Sequence, residues 1–293
     1  MTTPSLSIII PTLDEEKYLP TLLTDLSRQT YRDFEVIIVD GHSDDRSVAK
    51  TRQFAHRLPA LAVINSEKRN VCYQRNLGAK TAAADLILFM DADNQLPTYF
   101  LQGLKYKIDL SNPDIFSTWI GAENNTGNSL AIATIINLYF DLQKNTANPI
   151  TMEGMLGFKK AVFTKLKGFN ENLVIHEGND IVKKAIKRGY HFHVYNDPTY
   201  IFSLRRLRKQ GTFQMLGNLA QIEIARLLGK KIAHKKAAEL YPMRGGNFFD
   251  QEKIRDNLFD TLIAKAQLAK QKDKLVAFAR SLLFVDEESN PKH

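Results

Sequence analysis

The 293-residue chain predicts an α/β fold: a Rossmann-like, mostly parallel central sheet flanked by helices, with a C-terminal helical extension. Three observations predict it. Short β-branched runs, apolar on both faces, alternate with helical patterns over the first ninety residues, as a sheet covered on both sides requires. Three of those runs end in polar or acidic clusters. Charge is balanced up to residue 203, with 22 basic and 22 acidic side chains. The net +8 comes from the 18 basic and 10 acidic side chains that follow.

Taken in order, "SLSIIIP" at 5–11 reads as the first strand, and "EEKYLPTLLTDLSRQT" at 15–30 as the first helix. "FEVIIVD" at 34–40 is the second strand, "DDRSVAKTRQFAHRL" at 44–58 a helix and "ALAVINS" at 60–66 the third strand. "VCYQRNLGAKTAAA" at 71–84 is a helix that leads into the strand "DLILFMD" at 85–91. Between 98 and 203 the pattern is less regular. It predicts a helix at 98–108, a strand at 114–121, an apolar helix at 129–143 and a strand at 150–158. A short helix ending at Gly168, a helix at 179–188 stopping at Gly189 and the strand "HFHVYND" complete the body. Beyond 210 the pattern is almost wholly helical. The expected division is a body at 1–210, with halves 1–97 and 98–210, and a basic helical extension at 211–293.

Composition narrows the classes. A hydrophobic content of 44% suffices for a sizeable core. Cys72 stands alone, so no intrachain disulfide is expected, and no apolar run follows Met1, so an intracellular, cytoplasmic chain is expected. The longest apolar run, 129–142, is too short for a bilayer and is interrupted by Asn137 and Asp141. The basic extension suits an anionic membrane surface, a homodimer built through its helices, or a solvated surface. Nucleic acid is the weakest partner, because no compact nucleic-acid motif accompanies the charge.

The chemistry centres on "DLILFMDADNQLP" at 85–97. Asp91 and Asp93, one residue apart just past a strand end, can turn onto one divalent cation. Oxygen ligands select hard ions, Mg²⁺ or Mn²⁺, which neutralise diphosphates; a polar loop is the plainer reading of the same residues. "PTLDEE" and "DGHSDD" end the first two strands. In a parallel sheet these ends share the rim where ligands bind.

At these residues the chain resembles the family 2 glycosyltransferases of the GT-A fold. The matching blocks are "SIIIPTLDEEKYLPTLLTDLSRQTYRDFEVIIVDGHSDD", "CYQRNLGAKTAAADLILFMDADNQLP" and "GFNE" at 168–171, within roughly residues 5–205. The resemblance implies that Pro11, Thr12, Asp14 and Glu15 begin the nucleotide pocket and that Asp40 reaches the base or ribose. It implies that Asp91 faces the ribose or metal, that Asp93 holds the metal bridging the diphosphate, and that Arg75 and Asn76 lie beside the nucleotide. For Asp14 a helix N-cap, and for Glu15 a first-turn dipole partner, remain open.

The family's proton acceptor usually lies in a Glu-Asp pair opening a helix that ends in Gly-Tyr. "HEGNDIVKKAIKRGY" has no such pair. Counted back from Gly189, Glu177 matches the Glu, Gly178 occupies the base position and Asp180 is a later acid. With a two-residue deletion, Asp180 becomes the base. Asp180 is the first choice and Glu177 the second, with a helix N-cap as the alternative for Asp180.

Ser203, Arg205 and Arg206 could clamp the diphosphate. His176, His191 and His193 complete no zinc pattern, and Trp119 reads as core rather than as a sugar platform. The implied activity is inverting transfer from a nucleotide-diphosphate sugar, UDP-linked by first expectation, to a lipid-linked or saccharide acceptor. It would use Mg²⁺ or Mn²⁺, with the chain peripheral at the inner face of the cell membrane. The alternatives are a binding or assembly subunit without a base, and a nucleotidyltransferase. The second is disfavoured because "PTLDEE" has no glycine to cradle phosphates.

Overall fold

The computed structural model describes residues 3–122, 127–144, 146, 148–173 and 175–203. The elements run β1 (Leu6–Thr12), α1 (Leu19–Ser27), β2 (Phe34–Asp40), α2 (Ser47–Arg52), β3 (Leu61–Asn65), α3 (Val71–Thr81) and β4 (Leu86–Met90). They continue α4 (Phe100–Ser111), β5 (Ile115–Gly121), α5 (Gly127–Gln143), β6 (Met155–Lys159), α6 (Lys160–Lys165), α7 (Glu177–Lys187) and β7 (Phe192–Ile201). One seven-stranded sheet has the order β3-β2-β1-β4-β6-β5-β7. Pairings are parallel except at β6, which runs antiparallel to both β4 and β5.

The unbroken apolar runs follow from coverage on both faces. Ile8 and Ile10 point into one layer with Leu22 and Leu26 of α1 and Phe100 and Leu104 of α4. Ile9 points into the other, with Cys72 and Ala79 of α3, Phe163 of α6 and Ile181 of α7. The second layer is organised by aromatic rings: Phe89 lies 5.0 Å from Phe169, 5.2 Å from Phe163 and 6.0 Å from Phe158. Two glycines permit close approach. A Cβ on Gly78 of α3 would meet Ile9 Cγ2 at 2.4 Å, so this helix lies directly on the sheet. A Cβ on Gly157 would meet the ring of Phe116, its cross-strand partner, at 2.1 Å.

Several boundaries differ from the sequence expectation. The first helix begins at Leu19 rather than at residue 15, with Pro20 in its opening turn. The preceding residues are held elsewhere, because the backbone N–H groups of Asp14, Glu15 and Glu16 donate to Ser43, Ser47 and Asp45 side chains. The last strand extends to Ile201, since Tyr200 and Ile201 re-pair with β5 after an irregularity between Thr118 and Ile120. Helix α5 is not enclosed beneath the sheet. It packs through Ala133 and Asn137 and exposes Leu130, Ile135, Leu138 and Leu142. Asn137 accepts the Ile120 N–H at 2.9 Å and donates to the Ile120 carbonyl at 2.8 Å, which accounts for an amide inside an apolar helix. Arg205, Arg206, the extension and the homodimer expected through it lie outside the described residues. Among the described residues no helix is long and apolar enough to cross a membrane.

Phe89→Ala is expected to cost about 3–5 kcal/mol, because it removes the ring at the centre of the second layer. Urea unfolding of the variant would show this as a lowered midpoint with an unchanged slope.

Candidate active site

Strands β2, β1 and β4 are parallel neighbours, so their C-terminal ends open onto one rim. Thr12 pairs in register with Asp40 there. Asp40, 4% exposed, accepts the N–H and hydroxyl of Ser43 at 3.0 and 2.5 Å. The Ser43 hydroxyl oxygen in turn accepts the Asp14 N–H, and Asp14 Oδ1 accepts the Asp44 N–H at 2.7 Å. Asp14, at φ +53°, therefore stitches two loops and is not a helix N-cap. Glu15 is buried ahead of the helix, its carbonyl accepting the Tyr18 and Leu19 N–H groups. From α3, Gln74 Nε2 donates to the carbonyls of Thr12 and Val39, holding the helix against both strand ends.

Helix α3 is capped by Asn70, whose side chain accepts the Tyr73 N–H at 2.8 Å. One turn later Arg75, 2% exposed, reaches across the rim. It donates to Glu177 Oε1 at 2.8 Å, Asp91 Oδ1 at 2.9 Å and the Glu153 carbonyl at 3.3 Å. Its guanidinium also lies 5.5 Å from the centroid of the Phe169 ring. Burial opposes the charged form, but Asp91 and Glu177 outweigh it and keep the guanidinium pKa above its ordinary value. Asn76 turns to the 169–171 segment, bonding the Phe169 N–H and carbonyl and Glu171 Oε1. Arg75 is thus joined to Asp91 and Glu177, whereas Asn76 orders the "GFNE" turn.

The start of α7 carries the second half of the site. Glu177 is 1% exposed and faces Arg75. Asp180 lies on a partly exposed face, its Oδ2 accepting the Lys184 ammonium at 2.6 Å, and it is not joined to the Arg75 group by a direct bond. Asn179 accepts the Thr151 N–H at 2.7 Å and contacts His176 Nδ1 at 3.0 Å. His193 stacks instead near Tyr195.

Sequence reasoning missed Glu153, just before β6. Its Oε1 accepts the Gly178 N–H at 3.0 Å. Burial, reinforced by Glu177, pushes its carboxyl well above the usual carboxylate range, against the opposing pull of Arg75. The available signal was a lone acid inside the apolar run "ITMEGMLGF".

At the end of β4, the Asp91 N–H and Asn94 Nδ2 both donate to the Gly154 carbonyl, at 3.1 and 2.6 Å. A Cβ on Gly154 would lie 2.8 Å from Asp91 Oδ2, so only glycine leaves that oxygen room. Tyr200 is fully buried and its hydroxyl has no hydrogen-bond partner among the described residues; burial first, then Asp91 and Asp93, drive its pKa far up. The Asp91 and Asp93 carboxylates are hard donors. They fit Mg²⁺ or Mn²⁺ once a ligand's phosphates complete the shell.

A family model described as "Glycosyl transferase family 2" matches residues 7–167. An uncharacterized glycosyltransferase of Haemophilus influenzae is 29% identical over 186 residues, 62% of each chain. The chain therefore spans under two thirds of that relative's length. Among solved structures, S. aureus TarS 1-349 in complex with UDP superposes with a TM-score of 0.56 at 20% identity, covering 80% of this chain and 69% of that one. The mannosyltransferase PcManGT from Pyrobaculum calidifontis, in complex with GDP-Man and Mn²⁺, gives 0.59 at 20% identity, covering 97% and 82%. Both share the fold.

Arg75→Ala leaves Glu177 buried without its cation, and a loss of about 3–5 kcal/mol is expected in chemical denaturation. Cys72 is buried, its thiol pKa pushed up to about 12 by burial and then by Glu177. It should resist iodoacetamide at pH 8 in the native protein and react in urea, where its pKa returns to about 8.5; mass spectrometry reads both.

Proposed function

We propose that this chain, which belongs to glycosyl transferase family 2, moves a sugar from a nucleotide-diphosphate sugar to an acceptor hydroxyl with inversion at the anomeric carbon. The observation that carries the reading is Asp91, bonded to Arg75 just past β4 and beside the parallel ends of β1 and β2, with Asp93 two residues on. Pro11, Thr12, Asp14, Glu15 and Asp40 would form the nucleotide side, where acceptor oxygens suit ribose hydroxyls and a base N–H. The loop ties through Ser43 and Asp44 would keep that side preformed. Arg75 would orient Asp91, and Asn76 would hold the 168–171 turn against the pocket.

A divalent cation held by Asp93 and Asp91 would neutralise charge on the departing diphosphate. The uridine and guanosine nucleotides named with the two solved neighbours support a nucleotide donor, with a UDP-sugar as the first choice. Arg205 and Arg206 follow β7 in sequence and would add bidentate phosphate contacts. Inversion needs a carboxylate across the sugar from the leaving group to take the acceptor proton. By motif position helix α7 offers Asp180 first and Glu177 second, but each is already held in an ion pair.

The exposed Leu130, Ile135, Leu138 and Leu142 of α5 favour a lipid-linked acceptor over a free saccharide. Together with the basic extension they support action at the inner face of the membrane.

Calorimetry of UDP-GlcNAc, UDP-glucose and GDP-mannose against the full chain, with and without Mn²⁺, should find a donor that binds only with the metal. Asp93→Ala should abolish that binding and the accompanying donor hydrolysis. Unchanged turnover in the variant would defeat the metal-assisted mechanism.

A further inference from the structure

We propose that the Glu153 carboxylate is the general base of the transfer, occupying the space that a side chain at position 178 would fill. This rests on the sugar-transfer reading above. A Cβ built on Gly178 would lie 2.7 Å from Thr151 Oγ1, 2.8 Å from Glu153 Cγ and 3.3 Å from Glu153 Oε1. Position 178 therefore has room for glycine alone, because the Thr151 hydroxyl and the Glu153 side chain fill that space. Its bond from the Gly178 N–H places the carboxyl over the helix N-terminus, where the dipole and the N–H offset part of the rise in its pKa that burial and Glu177 cause.

The other carboxylates near it are already engaged. Asp91 Oδ1 and Glu177 Oε1 share Arg75, and Asp180 accepts the Lys184 ammonium. Each of these carboxylates already holds a cation and would have to release it to meet an acceptor hydroxyl. The Glu153 side chain is in no ion pair among the described residues; its carboxyl neighbours Glu177, and Arg75 bonds its backbone carbonyl.

Location agrees. The next residue, Gly154, bonds Asp91 and Asn94 through its carbonyl, so Glu153 flanks the donor rim. The residue as a whole is half-buried. In the step, the acceptor oxygen bonds to the anomeric carbon while its proton passes to Glu153. The bond from that carbon to the β-phosphate oxygen breaks, and its electron pair leaves with the nucleoside diphosphate.

The test uses the full chain with Mn²⁺ and UDP-GlcNAc or GDP-mannose, water serving as the acceptor. Glu153→Gln should slow donor hydrolysis by about 10²–10⁴-fold while donor affinity stays within about threefold. Glu153→Gly should be inactive and should regain activity with added formate, a rescue that a purely structural carboxyl would not show. Wild-type hydrolysis by Glu153→Gln would overturn the proposal, as would loss of donor binding in that variant or a collapse confined to Asp180→Asn. Failure of the parent reading differs from all of these, because the wild type itself would then bind neither nucleotide sugar.

Discussion

The buried guanidinium of Arg75 is the constraint around which the site is arranged. A charge removed from water must be paired and hydrogen-bonded or its burial is prohibitive. Here one oxygen each from Asp91 and Glu177 and the Glu153 carbonyl accept from its two terminal nitrogens. These partners come from the end of β4, the start of α7 and the segment before β6. Satisfying one charge therefore fixes three distant pieces of chain relative to α3. The helix cannot drift, because Gly78 lets it rest on Ile9 and Gln74 ties it to the β1 and β2 ends.

The reversal of β6 has a chemical consequence. Running antiparallel between β4 and β5, it begins where β4 ends, so the residues just before it arrive at the rim. Gly157 allows Phe116 to cross it, and Gly154 allows it to pass beside Asp91. A strand whose interior serves packing thus delivers, at its entrance, a carboxyl set against the glycine that opens α7. The aromatic group of Phe89, Phe158, Phe163 and Phe169 supports this arrangement from beneath, and Phe169 also meets Arg75.

Much of this was legible in the residues themselves. The β-branched runs of the first ninety residues place four strands within a residue of those observed, whereas the strand expected at 150–158 begins only at Met155. Gly168 and Gly189, at φ +69° and +82°, follow helical segments where expected. Asp91 and Asp93 declared the rim by following an apolar run. Less legible were partners set by long-range contact. Asp14 resembles an N-cap, yet it bonds Asp44, thirty residues away, because Pro20 and the Ser43–Ser47 loop delay the helix. Asn76 lies in a nucleotide-like motif, yet its bonds go to residues 169–171.

By itself the sequence determined the alternation of strands and helices, the family and the acidic rim, because each is written in local periodicity or in contiguous motif. Only the tertiary structure decided which carboxylate meets which partner. Arg75 joins residues 16 and 102 positions away, and Glu153 meets Gly178 across 25. A carboxylate's chemistry depends on the charge and burial around it, and those are properties of the packed molecule rather than of neighbours along the chain.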